Sequence, residues 1–205
     1  MIATRWRGIW QRVLDLERVH VYAWPEPPSQ PRPEPPSPPG TGTRPTYRVW
    51  PIAEVPLRDG PAVSDYLRHA VTDWPLDWPA ESRPGARVHA LEEHAALIAW
   101  GFTVTGVTQW PIEETGTMLH CAPSDLLMLG YFTEPTHRGR GLYPNLLRAI
   151  LEHTPRAGRA MIWVQRRNRP SEKAIVRTGF ARVATHWGLK AGGLPVWRRR
   201  TGGAA

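Results

Sequence analysis

His137-Arg138-Gly139-Arg140-Gly141 stands between an apolar run, Leu126 to Thr133, and a helical pattern, Leu142 to Glu152. Where a turn opens straight into a helix, its backbone N–H groups have no intrahelical partner and the helix dipole adds positive potential, so the place favours an anion. Gly139 and Gly141 let the main chain come close to that anion. The forked guanidiniums of Arg138 and Arg140 match phosphate oxygens, and a pyrophosphate suits the turn better than a lone phosphate. The turn is not a Walker A loop, because no Lys-Ser/Thr follows, and only two of its glycines have the spacing of G-x-G-x-x-G.

A second segment narrows the anion. At Asn168-Arg169-Pro170-Ser171 a polar residue leaves the end of an apolar run, a helix follows to Thr178, and Gly179-Phe180 closes it. Together, Arg138-x-x-Gly141-x-Tyr143 and Asn168-x-x-Ser171 running to Gly179-Phe180 resemble the two signature segments of the GNAT superfamily of acyl-coenzyme A N-acyltransferases. The resemblance covers about residues 126–185, and the upstream strands agree in element order. It implies acetyl-CoA as acyl donor, an amine as acceptor, and no metal. It also implies a strand that splays from its parallel neighbour and pairs with the pantetheine arm through Tyr131, Phe132 and Thr133. The pyrophosphate would sit on the amides of Arg138, Gly139, Arg140, Gly141, Leu142 and Tyr143, with Asn168 facing the pantetheine and Ser171 lining the same cleft. Two positions depart from the family pattern. Tyr143 stands where the loop's last glycine or alanine falls, and Ile175, five residues before Phe180, stands where a tyrosine general acid often sits.

Direct transfer needs a neutral amine, a polarised carbonyl and a proton for the departing thiolate. Candidates for the base are Asp125, which begins the central strand, and Glu92, Glu93 or His120 from the neighbouring region, directly or through water. Tyr143, Ser171 or solvent would supply the thiolate's proton. No catalytic pattern marks Cys121 and its neighbour His120 as a Cys-His pair, which favours a core thiol over a nucleophile. The alternative to an enzyme is a non-catalytic module that binds acyl-CoA or a polyanion, and Ile175 is the residue that favours it.

The elements that must hold these groups follow from periodicity. Residues 87–92 and 95–107 are β-rich and nearly continuous, which predicts tightly joined antiparallel strands. Met118 to Cys121 is a further short strand, and Tyr47 to Leu57 and Phe180 to Leu189 have strand character. Val63 to Val71 is spaced as a short helix. The strand at 126–133, a crossover helix at 142–153 and the strand at 160–165 form a parallel βαβ unit of the usual hand. The expected fold is α/β and GNAT-like, with a mixed, mostly antiparallel sheet, helices on both faces and the parallel unit at the cofactor cleft.

Outside that unit the reading is of organisation. Trp6, Ile9, Trp10, Val13 and Leu16 share one stripe of a basic helix over 4–20, followed by a strand from Arg18 to Trp24. This helix is suited either to packing on its own domain or to peripheral contact with an anionic membrane. Pro25 to Pro45 holds ten prolines in 21 residues, an extended linker or loop. The acyltransferase domain is expected over 47–197, with Asp73-Trp74-Pro75-Leu76-Asp77-Trp78-Pro79 as a rigid aromatic loop inside it. Residues 198–205 are expected as a basic flexible tail.

The formal charge of +8 is uneven. Residues 1–137 hold 11 arginines and 16 acids, net −5, whereas 138–205 hold 15 Lys plus Arg and 2 acids, net +13. Such a patch attracts polyanions or merely solubilises. With the two motifs beside it, the phosphorylated coenzyme is the expected partner and nucleic acid is not. One cysteine excludes an internal disulfide framework and a multi-cysteine zinc site. With no run of transmembrane length and no apolar signal core, the expected location is the cytoplasm, and peripheral membrane contact through the N-terminal helix is the alternative to its packing on the domain.

Overall fold

The structure, a computed structural model, describes residues 14–24, 45–55, 65–72, 84–191 and 194–202. An eight-stranded sheet organises it. In chain order the strands are β1 Leu14–Trp24, β2 Thr46–Pro51, β3 Arg87–Glu93, β4 Ala96–Val104, β5 Gln109–Ile112, β6 Thr117–His120, β7 Leu126–Thr133, β8 Ala160–Gln165, β9 Ala181–Ala191 and β10 Leu194–Thr201. The helices are α1 Asp65–Thr72, α2 Leu142–His153 and α3 Arg169–Thr178. The sheet runs β10-β9-β1-β8-β7-β4-β3-β2, and β5 and β6 form a separate two-stranded ribbon. The β7–β8 pair is parallel and the other pairs are antiparallel, as the sequence predicts.

Both faces of the sheet are covered, because each carries apolar side chains from alternate strand positions. On one face Val88, Ala90, Trp100, Phe102 and Leu127 pack with Leu67 and Ala70 of α1 and with Trp110, Ile112 and Leu119 of the ribbon. On the other face Ile98, Ala99, Met128 and Ile162 meet α2 and α3. Helix α2 forms because Leu142, Leu146, Leu147 and Ile150 fall on one side and are all buried. Each such side chain contributes about 1.5–3 kcal/mol when it leaves water.

Three expectations are corrected. The helix expected over 4–20 is a strand from Leu14 onward: Val19, Val21 and Ala23 alternate into the core, and the 11-residue β9 supplies a partner along most of β1, while Leu16 stays 57% exposed. Residues 4–13 of that expected helix lie outside the described residues. Because β1 lies between β9 and β8, residues 14–24 belong to the same sheet as the rest. The basic tail, too, is a strand up to Thr201. Arg198, Arg199 and Arg200 pair in backbone register with Gly188, Trp187 and His186 on the sheet edge, where a run of charge discourages further strand addition. The ribbon strand β5 has no counterpart in the sequence expectations; its Pro111 removes a ladder donor, a loss that is tolerated at a ribbon edge. The expected proline-rich segment, apart from Pro45, and the Trp-Pro loop at 73–79 lie outside the described residues, as do 203–205. Among the described residues no helix is long and apolar enough to cross a membrane.

Candidate active site

The sheet opens between β7 and β8. They pair only from Leu126 to Met128 against Ala160 to Ile162, while β7 continues along β4 as far as Thr133. Gly130, at φ +62°, and a register shift opposite Trp100 to Phe102 bend β7 away from β8 at this point. A positive φ inside a strand suits glycine, and a bulge increases local twist. The β8-facing edge of β7 therefore has no strand partner after Met128 among the described residues.

A cavity of about 280 Å³ fills the opening. From the helix face it is lined by Met128, Tyr131, Tyr143, Asn168 and Ser171, and from the opposite face by Leu129, Trp163, Gln165 and the ribbon residue Glu114. Contributions from both faces mean that the gap passes through the sheet. The ring of Tyr131 lies across β4 at Gly101, where an added Cβ would come within 2.3 Å of the ring carbons. It packs against Tyr143 with centroids 5.3 Å apart. The Tyr131 hydroxyl is buried with no hydrogen-bond partner among the described residues. Burial raises the pKa of Tyr131 well above that of a free phenol, and it raises Tyr143 as well.

Just beyond the splay, the loop delivers its amides to the same end of the sheet. Gly139 and Gly141 take φ of +79° and +73°, with open space where a Cβ would stand. Gly141 caps α2 without a side-chain hydrogen bond, and its carbonyl accepts from the Asn145 amide. The amides of Gly139 to Tyr143 donate to no backbone carbonyl among the described residues, and Pro144 has no donor to leave unsatisfied. The chain thus presents a row of free N–H groups at a helix start, in accord with an anion site. The arginines differ from the expectation of two free forks. Arg138 Nε donates to the Thr133 carbonyl at 3.0 Å, and Arg140 is bidentate on Glu93 at 2.8 and 2.6 Å. Arg140 therefore fastens the loop to the end of β3, which leaves the backbone amides as the unengaged donors of the turn among the described residues.

Asn168 caps α3, its Oδ1 accepting from the Ser171 amide at 3.3 Å. Its Nδ2 has no hydrogen-bond partner among the described residues and lies on the cavity wall. Phe132 does not line the cavity; it packs on Trp100 at 5.4 Å, so its part in the splay is main-chain only. Leu142 is 4% exposed and anchors α2.

The candidate bases are not brought together. Asp125 lies at the far end of β7 from the splay, 2% exposed, where its oxygens accept from the amides of Ala122 and Arg159 and from Arg159 Nη2, each at 2.9 Å. That carboxylate is a staple between β7 and the turn before β8, with no place in the cavity. The Glu93 carboxyl is held below its usual range, first by its hydrogen bond from Arg140, which weakens it as a base. Glu92 accepts from Arg48 Nε at 2.9 Å, and His120 is exposed on the ribbon and does not line the cavity. The Cys121 thiol donates to the Val107 carbonyl at 3.3 Å, and burial raises its pKa to about 11, so it remains an un-ionised, partly buried thiol. Ile175 is fully buried in the helix-face core. The acidic residue that does line the cavity, Glu114, carries no local sequence signal beyond its hairpin turn. Among the described residues no three His, Cys, Asp or Glu gather to hold a metal ion.

A wider hollow of about 380 Å³, lined by Leu16, Glu17, Arg18, Arg166, Arg167 and Arg169, flanks the other side of the β8–α3 turn. The sheet is not parted there, since β1 stays paired with β8 up to Gln165. It is a basic surface groove next to the cleft.

No family profile and no curated protein matches the sequence. In fold the chain is similar to a functionally unknown conserved protein from Staphylococcus epidermidis, at a TM-score of 0.50 and 6% identity, over 93% of this chain and 68% of that one. It is also similar to a putative acetyltransferase of the GNAT family from Novosphingobium aromaticivorans, at 0.48 and 15%, over 87% and 65% of the two chains. A third similar structure is a GCN5-related N-acetyltransferase from Kribbella flavida, at 0.48 and 15%, over 91% and 63%. The chain spans about two thirds of the length of these structures. The likeness is one of fold.

Proposed function

We propose that this protein is an N-acyltransferase that passes an acetyl group from acetyl-CoA to an amine by direct attack. The observation that carries the reading is the alignment of a parted β7–β8 pair with a row of free amides at the start of α2. An extended arm with a pyrophosphate at one end matches both at once. The unpaired edge of β7 would accept the pantetheine as a short added strand, the Nδ2 of Asn168 would donate to it, and Ser171 would border it. The amides of Gly139 to Tyr143 would hold the pyrophosphate, helped by the positive field of Arg138 and of the arginine groove. The residues present fit that molecule, which supplies the thioester carbonyl.

The chain's own part in catalysis is positioning, polarisation and proton handling. Free N–H groups on β7 beside the cavity can polarise a carbonyl there. The Tyr131 and Tyr143 hydroxyls stay protonated and can hydrogen-bond a departing sulfur, but their raised pKa makes full proton transfer from them costly, so solvent protonates the thiolate. Buried Ile175 supports the second reading, a binder of acyl-CoA without turnover. Release of free thiol from acetyl-CoA across a panel of amines separates the two. Amine-dependent release supports the enzyme, and saturable binding without release for any amine supports the binder.

A further inference from the structure

The cavity through the sheet has a second mouth, away from α2 and α3, and its lining differs in kind. Leu129 and Trp163 form apolar walls, Gln165 is engaged by Arg167 Nε at 2.8 Å, and Glu114 is the one acidic side chain on the lining among the described residues. Glu114 makes no hydrogen bond or ion pair with any described residue, although the chain is rich in arginine. We propose that this mouth is the acceptor subsite, that it takes a primary amine carried on an apolar body, and that Glu114 binds the ammonium and receives its proton. The inference deepens the acyltransferase reading above and depends on it.

The structure holds the Glu114 turn in place by several unrelated contacts. Thr115 is fully buried, and its hydroxyl meets that of Thr117 at 2.8 Å, which in turn meets His186 Nδ1 on β9 at 2.7 Å. Arg198 Nη1 of β10 donates to the Gly116 carbonyl at 2.7 Å. Gly188 of β9 lies so close beneath the turn that an added Cβ would stand 2.4 Å from the Thr115 carbonyl oxygen. A ribbon tip pinned to two strands is a preorganised mount for one side chain, and preorganisation is what a positioned base requires. Neighbouring Glu113 is exposed and lines nothing in the cavity. Trp163, on the same lining as Glu114, supplies apolar surface for the carbon skeleton and an aromatic ring of the kind that attracts cations.

The chemistry balances. The Glu114 carboxylate takes one proton from the ammonium, and the freed nitrogen lone pair attacks the thioester carbonyl carbon. The C–N bond forms, the C–S bond breaks with its electron pair left on sulfur, solvent protonates the thiolate, and the second nitrogen proton and the one held by Glu114 both pass to solvent.

The test uses phenethylamine as acceptor with saturating acetyl-CoA, measuring thiol release, alongside calorimetry of acetyl-CoA alone. Wild type should transfer to phenethylamine but not to phenethyl alcohol. Glu114→Gln should lower kcat/KM for the amine by roughly 100-fold, remove the acidic limb of its pH profile and leave acetyl-CoA affinity unchanged. Glu113→Gln should behave as wild type. Unchanged kcat/KM in Glu114→Gln overturns the inference, and so does a wild type that binds acetyl-CoA but does not acetylate phenethylamine. Failure of wild type to bind acetyl-CoA at all overturns the acyltransferase reading itself.

Discussion

Replacing Asp125 by alanine separates a structural carboxylate from a catalytic one. The substitution removes the anion from a pair with Arg159 at 2.9 Å and strands the amides of Ala122 and Arg159, on a residue only 2% exposed. Removing one member of a buried pair costs about 3–5 kcal/mol. Because the Arg159 side chain is 25% exposed, water can reach it and the lower end, about 3 kcal/mol, applies. For a domain of this size that lowers Tm by about 6–12 °C. Urea unfolding with a double-mutant cycle against Arg159→Ala reads the coupling directly, and the double variant should lose less than the sum of the single ones. Thiol release measured well below the lowered Tm should keep the wild-type pH profile. An Asp125→Ala protein that melts with wild type yet has lost transfer would refute the structural assignment and restore Asp125 as the base.

Two further substitutions test the site's surroundings. His89 is fully buried between the hydroxyls of Tyr47 and Thr103, at 2.6 and 2.7 Å, and burial lowers its pKa from 6.5 to about 3. Between those values the unfolded chain binds a proton that the folded chain refuses, so stability is complete above pH 6.5 and falls as pH drops towards 3. From pH 6.5 to 4.5 the loss from this ring is about 2 kcal/mol. Urea titrations should therefore show a shallower acid decline in His89→Phe than in wild type, and identical slopes would exclude the role. Gly101→Ala should push Tyr131 off its seat on β4, at about 1–3 kcal/mol of overpacking, and weaken acetyl-CoA binding. Unaltered melting and affinity would mean that the ring does not lie there.

The strand, turn and helix from Leu126 to His153 were legible because each is written in contiguous residues: an apolar run, a glycine-spaced turn and a 3.6-residue period. The same holds for the asparagine cap of α3. What escaped reading is what depends on pairing across the fold. Asp125 invites a catalytic reading until Arg159, 34 residues on, closes over it. Arg140 promises a free guanidinium until Glu93, 47 residues earlier, takes it. The arginines of β10 look like a solvated tail because nothing local reveals that β9 will pair with their backbone. Glu114 reaches the cavity only because the ribbon folds over β9, a placement set by Thr115, Thr117 and His186 together.

Calorimetric titration of acetyl-CoA into wild type and Gly141→Glu tests the central claim most directly. Gly141, at φ +73°, faces open space at the start of α2, so the new carboxylate sets a like charge, on a strained backbone, where the pyrophosphate would lie. The account predicts saturable one-to-one binding by wild type and none by a variant that still unfolds cooperatively. Absence of binding by wild type, or equal affinity in the two proteins, would contradict it.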